Sequence, residues 1–142
     1  MSPTFQKIQP SLPVTSIPES IAYYTKTLGF SIAGRDRDDH TWLYLPTDEK
    51  NEDAQKAAVN LYLRRRTFPS IPNDVQFGKV HIRISGDDDE LERLLKKFEA
   101  AGAKVLRGVE FQPWGLKDFE VTDLDGNILN FDQAIPGWRP PG

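Results

Sequence analysis

Apolar residues recur at two different periods along this chain, and the changes of period mark out its elements. Ile17, Ile21, Tyr24 and Leu28 fall at i, i+4, i+7 and i+11, which is one face of a helix. Ser16-Ile17-Pro18-Glu19 just ahead has the capping-box pattern, a hydroxyl to accept from an N3 amide and a glutamate to reach back. Pro18 is tolerable in a first turn, and Gly29 supplies the stop. Leu91, Leu94, Leu95, Phe98 and Ala101 form a second such stripe, ended by Gly102. Asp87 or Asp88 is expected to cap it, and the four acids from Asp87 to Glu90 lie where the helix dipole favours negative charge. That acidic run is accounted for by helix initiation, with a metal or cation site as the other reading.

Shorter strand-like segments flank both helices: 8–14, 30–35, 41–45 and 57–63 around the first, 79–84, 103–107, 117–122 and 128–132 around the second. Period-two alternation is clear in Val80-His81-Ile82-Arg83-Ile84 and in Phe119-Glu120-Val121-Thr122. Asp125-Gly126 predicts a two-residue type I′ hairpin. The polar stretch 48–55 reads as a loop between strands. The order is β-α-β-β-β twice, which gives an α+β chain of two βαβββ modules, about 5–66 and 76–133, with a Pro-rich tail at 134–142.

Composition narrows the function classes. The chain has 142 residues, a formal charge of −3 and no cysteine, so disulfides, thiolate metal sites and thiol nucleophiles are excluded. The mixed charge argues against nucleic acid as a partner. No apolar run approaches the ~20 residues that span a bilayer, and residues 1–10 lack the apolar stretch of a secretory signal. The expectation is a cytoplasmic protein with no membrane contact. Arg64-Arg65-Arg66, the one basic run, reads as a solvated strand end, with an anion or partner contact as the other reading.

Two motifs carry a resemblance. PSLPVTSIPESIAYYTKTLGF (10–30) resembles the opening of glyoxalase, bleomycin-resistance and extradiol-dioxygenase proteins, the vicinal-oxygen-chelate superfamily. QPWGLKDFEVTDLDGNILNF (112–131) resembles their closing hairpin, and its QPWG element is most similar to the bleomycin-resistance branch. The resemblance implies curved mixed sheets around a U-shaped cavity. In the enzymes of this superfamily four side chains hold a divalent metal. By register those positions fall here on Gln9, on Asn60 or Tyr62, on His81 and on Asn130, with Asp132 as a displaced alternative. This set has one good nitrogen donor and no carboxylate at the four positions, so no metal cofactor is expected.

His81 is expected to be a neutral imidazole hydrogen-bonded in the cavity, and His40, in the acidic stretch 36–40, a solvated loop residue. Neither has a Ser or Cys partner in a nucleophile motif. In bleomycin-resistance proteins two chains pair and the drug lies between aromatic rings at the dimer interface. The resemblance maps Trp114 and His81 onto that crevice. Trp42 is a candidate for a further ring, although strict register puts His40 or Asp39 there. Asn60, Tyr62 and Asn130 complete the expected lining. Aromatic faces suit planar and cationic ligands, and Asp36, Asp38, Asp39 and Asp118 would add favourable charge. The expected function is therefore metal-independent sequestration of a planar, cationic small molecule by a homodimer, the alternative being a metal-dependent glyoxalase-type lyase, isomerase or dioxygenase. Trp138 is expected to pack the tail onto the body or onto a partner subunit.

Overall fold

A computed structural model describes residues 3–66 and 77–140; the junction expected between the two modules lies outside the described residues. The chain divides into two compact units, Met1–Gly78 and Lys79–Gly142. Each holds one four-stranded mixed sheet, in the orders β1-β4-β3-β2 and β5-β8-β7-β6.

In the first unit, β1 (Ser11–Val14) runs parallel to β4 (Asn60–Arg65), while β3 (His40–Tyr44) pairs antiparallel with both β4 and β2 (Ser31–Asp36). Residues 8–10 continue toward β4 without completing the expected longer strand: Tyr62 N donates to Pro10 O at 2.8 Å. Alternation on β3 and β4 buries Thr41, Leu43, Leu61 and Leu63. Helix α1 (Ile17–Ala22) starts as predicted, with the Ser16 hydroxyl accepting from Glu19 N at 3.3 Å.

The helix then departs from the expected period. Residues Tyr23–Thr27 form a π-helical turn, closed by Leu28 N donating to Tyr23 O at 3.2 Å. Thr25 Oγ1 donates to Ile21 O at 2.7 Å, and such back-bonding competes with the backbone ladder. The wider turn buries Tyr23 and Tyr24 together and leaves Ile21 half-buried. Gly29 ends the segment at φ +77°.

The second correction is α2 (Glu52–Ala58), which occupies much of the predicted loop and the first two residues of the strand expected at 57–63. Asn51 caps it by accepting from Ala54 N at 3.0 Å, and Lys56 pairs with Glu52 at 2.9 Å. No residue of α2 is buried, so it carries no apolar stripe for a pattern search to find.

In the second unit, β5 (Lys79–Arg83) runs parallel to β8 (Ile128–Ala134), and β7 (Leu116–Thr122) pairs antiparallel with β8 and with the bulged edge strand β6 (Lys104–Phe111). Helix α3 (Glu90–Ala100) buries Leu91 and Phe98; Leu94 and Leu95 are half-buried, and Ala101 is exposed rather than part of the stripe. Its N-cap is Asp89, not Asp87 or Asp88. The Asp87 carboxylate instead accepts from Asp89 N at 3.0 Å and pairs with Arg93 at 2.7 Å. Phe98, Phe119 and Phe131 form the core, the last two stacked at 5.4 Å.

The β7–β8 hairpin forms, but not with a type I′ turn. Only Gly126 has positive φ (+88°), and Asp125 does not. The buried Asp123 carboxylate builds the turn instead, accepting from the amides of Asp125 and Asn127 at 2.9 Å each and from Asn127 Nδ2 at 2.8 Å. Among the described residues no helix is long and apolar enough to cross a membrane.

Candidate functional site

The face of the first sheet turned away from α1 gathers aromatic side chains. Residues two apart on a strand share a face, and Trp42 stands opposite Tyr62 while His40 stands opposite Arg64. The Trp42 and Tyr62 rings are 5.3 Å apart and tilted by 31°; His40 meets Trp42 edge-on at 4.6 Å and lies 5.3 Å from Tyr62. The Arg64 guanidinium sits 5.0 Å from the Tyr62 ring centre. Trp42 can lie over β2 because Gly34 opposes it; a methyl group at Gly34 would stand 3.2 Å from the indole. His40 is thus a strand residue with a half-buried ring, its Nε2 3.4 Å from Asp36 Oδ2, and not the solvated loop residue expected.

Beside Trp42 opens a cleft of about 560 Å³, walled by Trp42 and Asn60, by Gln9 of the N-terminal segment, and by Asp53, Lys56 and Ala57 of α2. Asn60 Nδ2 donates to Ala57 O at 2.7 Å and to Ile8 O at 3.1 Å, which ties the N-terminal segment to the end of α2. The structure therefore brings together Gln9, Asn60 and Trp42 at the cleft, and His40, Trp42 and Tyr62 in one aromatic cluster. The α2 wall was missed because its segment read as a loop; the Asn51-Glu52-Asp53 start was the signal available.

Three of the acids expected to favour a cationic ligand are already paired with arginines: Asp38 with Arg35 at 2.6 Å, Asp39 with Arg65 at 2.6 Å, and Asp118 with Arg107 at 2.8 Å. The basic run is likewise not a freely solvated end: Arg64, Arg65 and Arg66 are all half-buried.

The corresponding face of the second sheet is ionic. His81 stands opposite Asn130, which stands opposite Glu120, which stands opposite Arg107. Asn130, 2% exposed, donates through Nδ2 to Glu120 Oε2 at 3.0 Å and to Asp118 Oδ2 at 3.2 Å. Lys79 Nζ lies 2.7 Å from Glu120, Gln112 Nε2 donates to Asp118 at 3.0 Å, and Arg83 Nε donates to Asp132 at 2.7 Å. Burial works to raise both acids, but hydrogen bonds outweigh it. Those from Gln112, Asn130 and Arg107 hold Asp118 below the usual aspartate value; those from Lys79 and Asn130 do the same for Glu120. His81 is exposed rather than enclosed. The alternation that placed Glu120 on a strand also placed it beside Asn130, a connection the sequence reading did not draw.

These residues do not fit a divalent metal. Asp118, Glu120 and Asp132 each already face a cation, and Asn130 turns its nitrogen, not its oxygen, toward the first two. Among the described residues no group of three His, Asp or Glu side chains is arranged to hold an ion.

Trp114 caps the β6–β7 connection, where Gly115 N donates to Gln112 O at 3.2 Å, and its ring is 59% exposed. Trp138 packs the tail onto its own unit: a methyl at Gly115, whose φ is +91°, would stand 2.5 Å from the indole.

Two mixed four-stranded sheets, each with a helix after its first strand, define the vicinal-oxygen-chelate class of α+β proteins. The chain belongs to the Glyoxalase/Bleomycin resistance protein/Dioxygenase superfamily, whose sequence profile matches residues 6–131. It is similar in structure to TioX from Micromonospora sp. ML1, with 20% identity over 92% of this chain and 100% of that one and a TM-score of 0.71. A glyoxalase/bleomycin resistance protein/dioxygenase from Nocardioides gives 15% identity, 100% and 91% coverage and a TM-score of 0.70. A lactoylglutathione lyase from Agrobacterium tumefaciens gives 16% identity, 92% and 95% coverage and a TM-score of 0.68. At these identities the likeness is one of fold. No curated protein matches the chain in sequence.

Proposed function

We propose that this protein binds a planar small molecule without a metal, on the aromatic face and adjoining cleft of its first unit. The half-exposed His40–Trp42–Tyr62 cluster beside a cleft of about 560 Å³ carries the reading. A flat ring laid on such a surface gains about 0.5–1.5 kcal/mol per aromatic partner beyond its buried area. The ion pairs of Asp38, Asp39 and Asp118 with arginines weaken the charge argument for a cationic ligand, so the proposal is for a planar ring system as such. Resemblance of QPWG to the bleomycin-resistance branch makes bleomycin the first compound to try.

The working form we propose is a homodimer, with a second copy of this chain covering the exposed Leu106, Phe111 and Trp114 on and after the edge strand β6. Sedimentation that gives only the single-chain mass at micromolar concentration overturns the dimer.

Calorimetric titration of bleomycin and a panel of planar heteroaromatics, with and without EDTA, tests the function. Binding that survives EDTA and weakens in Trp42→Ala is the expected result. Binding or turnover that needs an added divalent ion would move the protein to the lyase or dioxygenase alternative. No binding at high micromolar concentration overturns the proposal.

A further inference from the structure

Burying carboxylates side by side is costly unless each finds an opposite charge and its remaining lone pairs find donors. Asp118 and Glu120 are two residues apart on β7, both more than 90% buried, and both bonded to the same amide nitrogen of Asn130. Two negative charges so placed require two positive ones. A divalent ion bound by oxygen donors is one way to supply them. This chain has another: Lys79 lies 2.7 Å from Glu120, and Arg107 lies 2.8 Å from Asp118 and 4.0 Å from Glu120.

We infer that Lys79 and Arg107 act as a fixed pair of single charges in the electrostatic place of a divalent cation on the open face of the second unit. The orientation of Asn130 follows from this. With two carboxylate acceptors before it, the amide presents its nitrogen, and its buried Oδ1 has no hydrogen-bond partner. An amide serving a metal would present that oxygen. Lys79 and Arg107 have side chains 43% and 26% exposed, so solvent and ions in it reach the cluster along them once their charges are removed. Glu120 and Asp118, joined by Asn130 Oδ1 once that amide turns over, would then form a set of hard oxygen donors of the kind that suits Mn²⁺, Ca²⁺ or Mg²⁺. The inference goes beyond the metal-independent reading above and is tested apart from it, because ligand binding in EDTA does not enter the result.

The experiment is Mn²⁺ titration of the full chain, followed by calorimetry and by the electron-spin signal of free Mn²⁺. Wild type should bind no stoichiometric ion, and its melting temperature should be the same in EDTA and in millimolar Mn²⁺. Lys79→Met/Arg107→Met should bind one Mn²⁺ per chain, melt higher in its presence, and lose both properties when Glu120→Gln is added. Lys79→Met alone, altered at a largely exposed side chain, should bind Mn²⁺ at least about tenfold more tightly than wild type, a difference of about 1.4 kcal/mol. This single variant decides the matter if the double variant does not fold. Stoichiometric binding by wild type that Glu120→Gln abolishes overturns the inference. So does a folded Lys79→Met with no gain in affinity.

Discussion

One rung across each sheet shows how the same scaffold has been given opposite chemistry. In the first unit the rung reads Ser11, Tyr62, Trp42, Gly34; in the second, by the same strand order, it reads His81, Asn130, Glu120, Arg107. The first places two rings between two small residues. Their faces are used only in part by each other, and Gly34 lets the indole lie close against the backbone. Stacking is tolerant and additive, so a third ring can join. In the second rung Asn130 is hydrogen-bonded to Glu120, and Glu120 and Arg107 are each held in an ion pair. Adding a charged ligand there means breaking pairs that exist. A face with spare contact capacity suits recognition; a face whose charges are already paired suits order. That contrast, more than the shared fold, is why the ligand is assigned to the first unit.

If the contrast is right, the largest stability effect comes from the ionic face. Arg107→Ala leaves Asp118 buried without its cation, and breaking such a pair should cost about 3 kcal/mol, the lower end of the range for buried pairs because Arg107 retains some solvent contact. Urea unfolding measures it, and ligand affinity should not change. A loss below 1 kcal/mol would mean that solvent screens this face as it does an ordinary surface.

Acid should reproduce the same loss gradually. Asp118 and Glu120 have folded values below the ordinary ones. Below the unfolded carboxylate range, near pH ~4, the unfolded chain therefore binds more protons than the folded one. The stability they contribute is fully present above that range and is lost as pH falls through the depressed folded values. Urea midpoints between pH 6 and pH 3 should stay level and then decline. In Arg107→Ala, with Asp118 less depressed, the pH-dependent part should be smaller. A midpoint that rises on acidification would contradict the assignment.

The fold was legible because its signals are local and repeated: two capped helices, alternation on the central strands and a Gly-bearing hairpin. What escaped was structure without a buried stripe. Helix α2 has no apolar side chain larger than alanine, so its Asn51-Glu52-Asp53 start was its one mark. The π-helical turn is accompanied by a Thr25 hydroxyl bonded to the Ile21 carbonyl, which no periodicity reports. Of the site, Trp42, His40, Tyr62 and Asn60 were named from the sequence, and the structure groups them on one sheet face. The Asp118–Asn130–Glu120 network was not, because it is made by the cross-strand register of β7 with β8 and β6. Asn130 and Asp118 were each named for another role, and Glu120 alone looks like an ordinary polar strand residue.

The aromatic face is tested by Trp42→Ala. This ring touches Tyr62, His40 and the Gly34 backbone and lines the cleft, so its loss should weaken a bound planar ligand about tenfold. The stability cost should be about 1 kcal/mol, since the ring is half-exposed and its edge contacts are few. Calorimetry and urea unfolding together separate the two quantities. A large stability loss with unchanged affinity would make the cluster a packing feature and remove the basis for the contrast.

Trp114→Ala should give the smallest effect and the finest discrimination. Its ring stands 59% exposed at the tip between β6 and β7, where QPWG turns the chain and Gly115 takes positive φ. An exposed ring adds little to folding, so the urea midpoint should stay within about 0.5 kcal/mol of wild type. The likeness of QPWG to the bleomycin-resistance branch makes this ring a separate candidate for a ligand contact, and a single stacking contact from an otherwise unconfined indole should be worth roughly threefold in affinity. Calorimetry reads that change, and sedimentation of the same variant reads the dimer. Weaker binding by an intact dimer assigns the ring to the ligand. Unchanged binding by a dimer that dissociates at lower dilution assigns it to the subunit contact, leaving recognition to Trp42, Tyr62 and His40 on the first sheet.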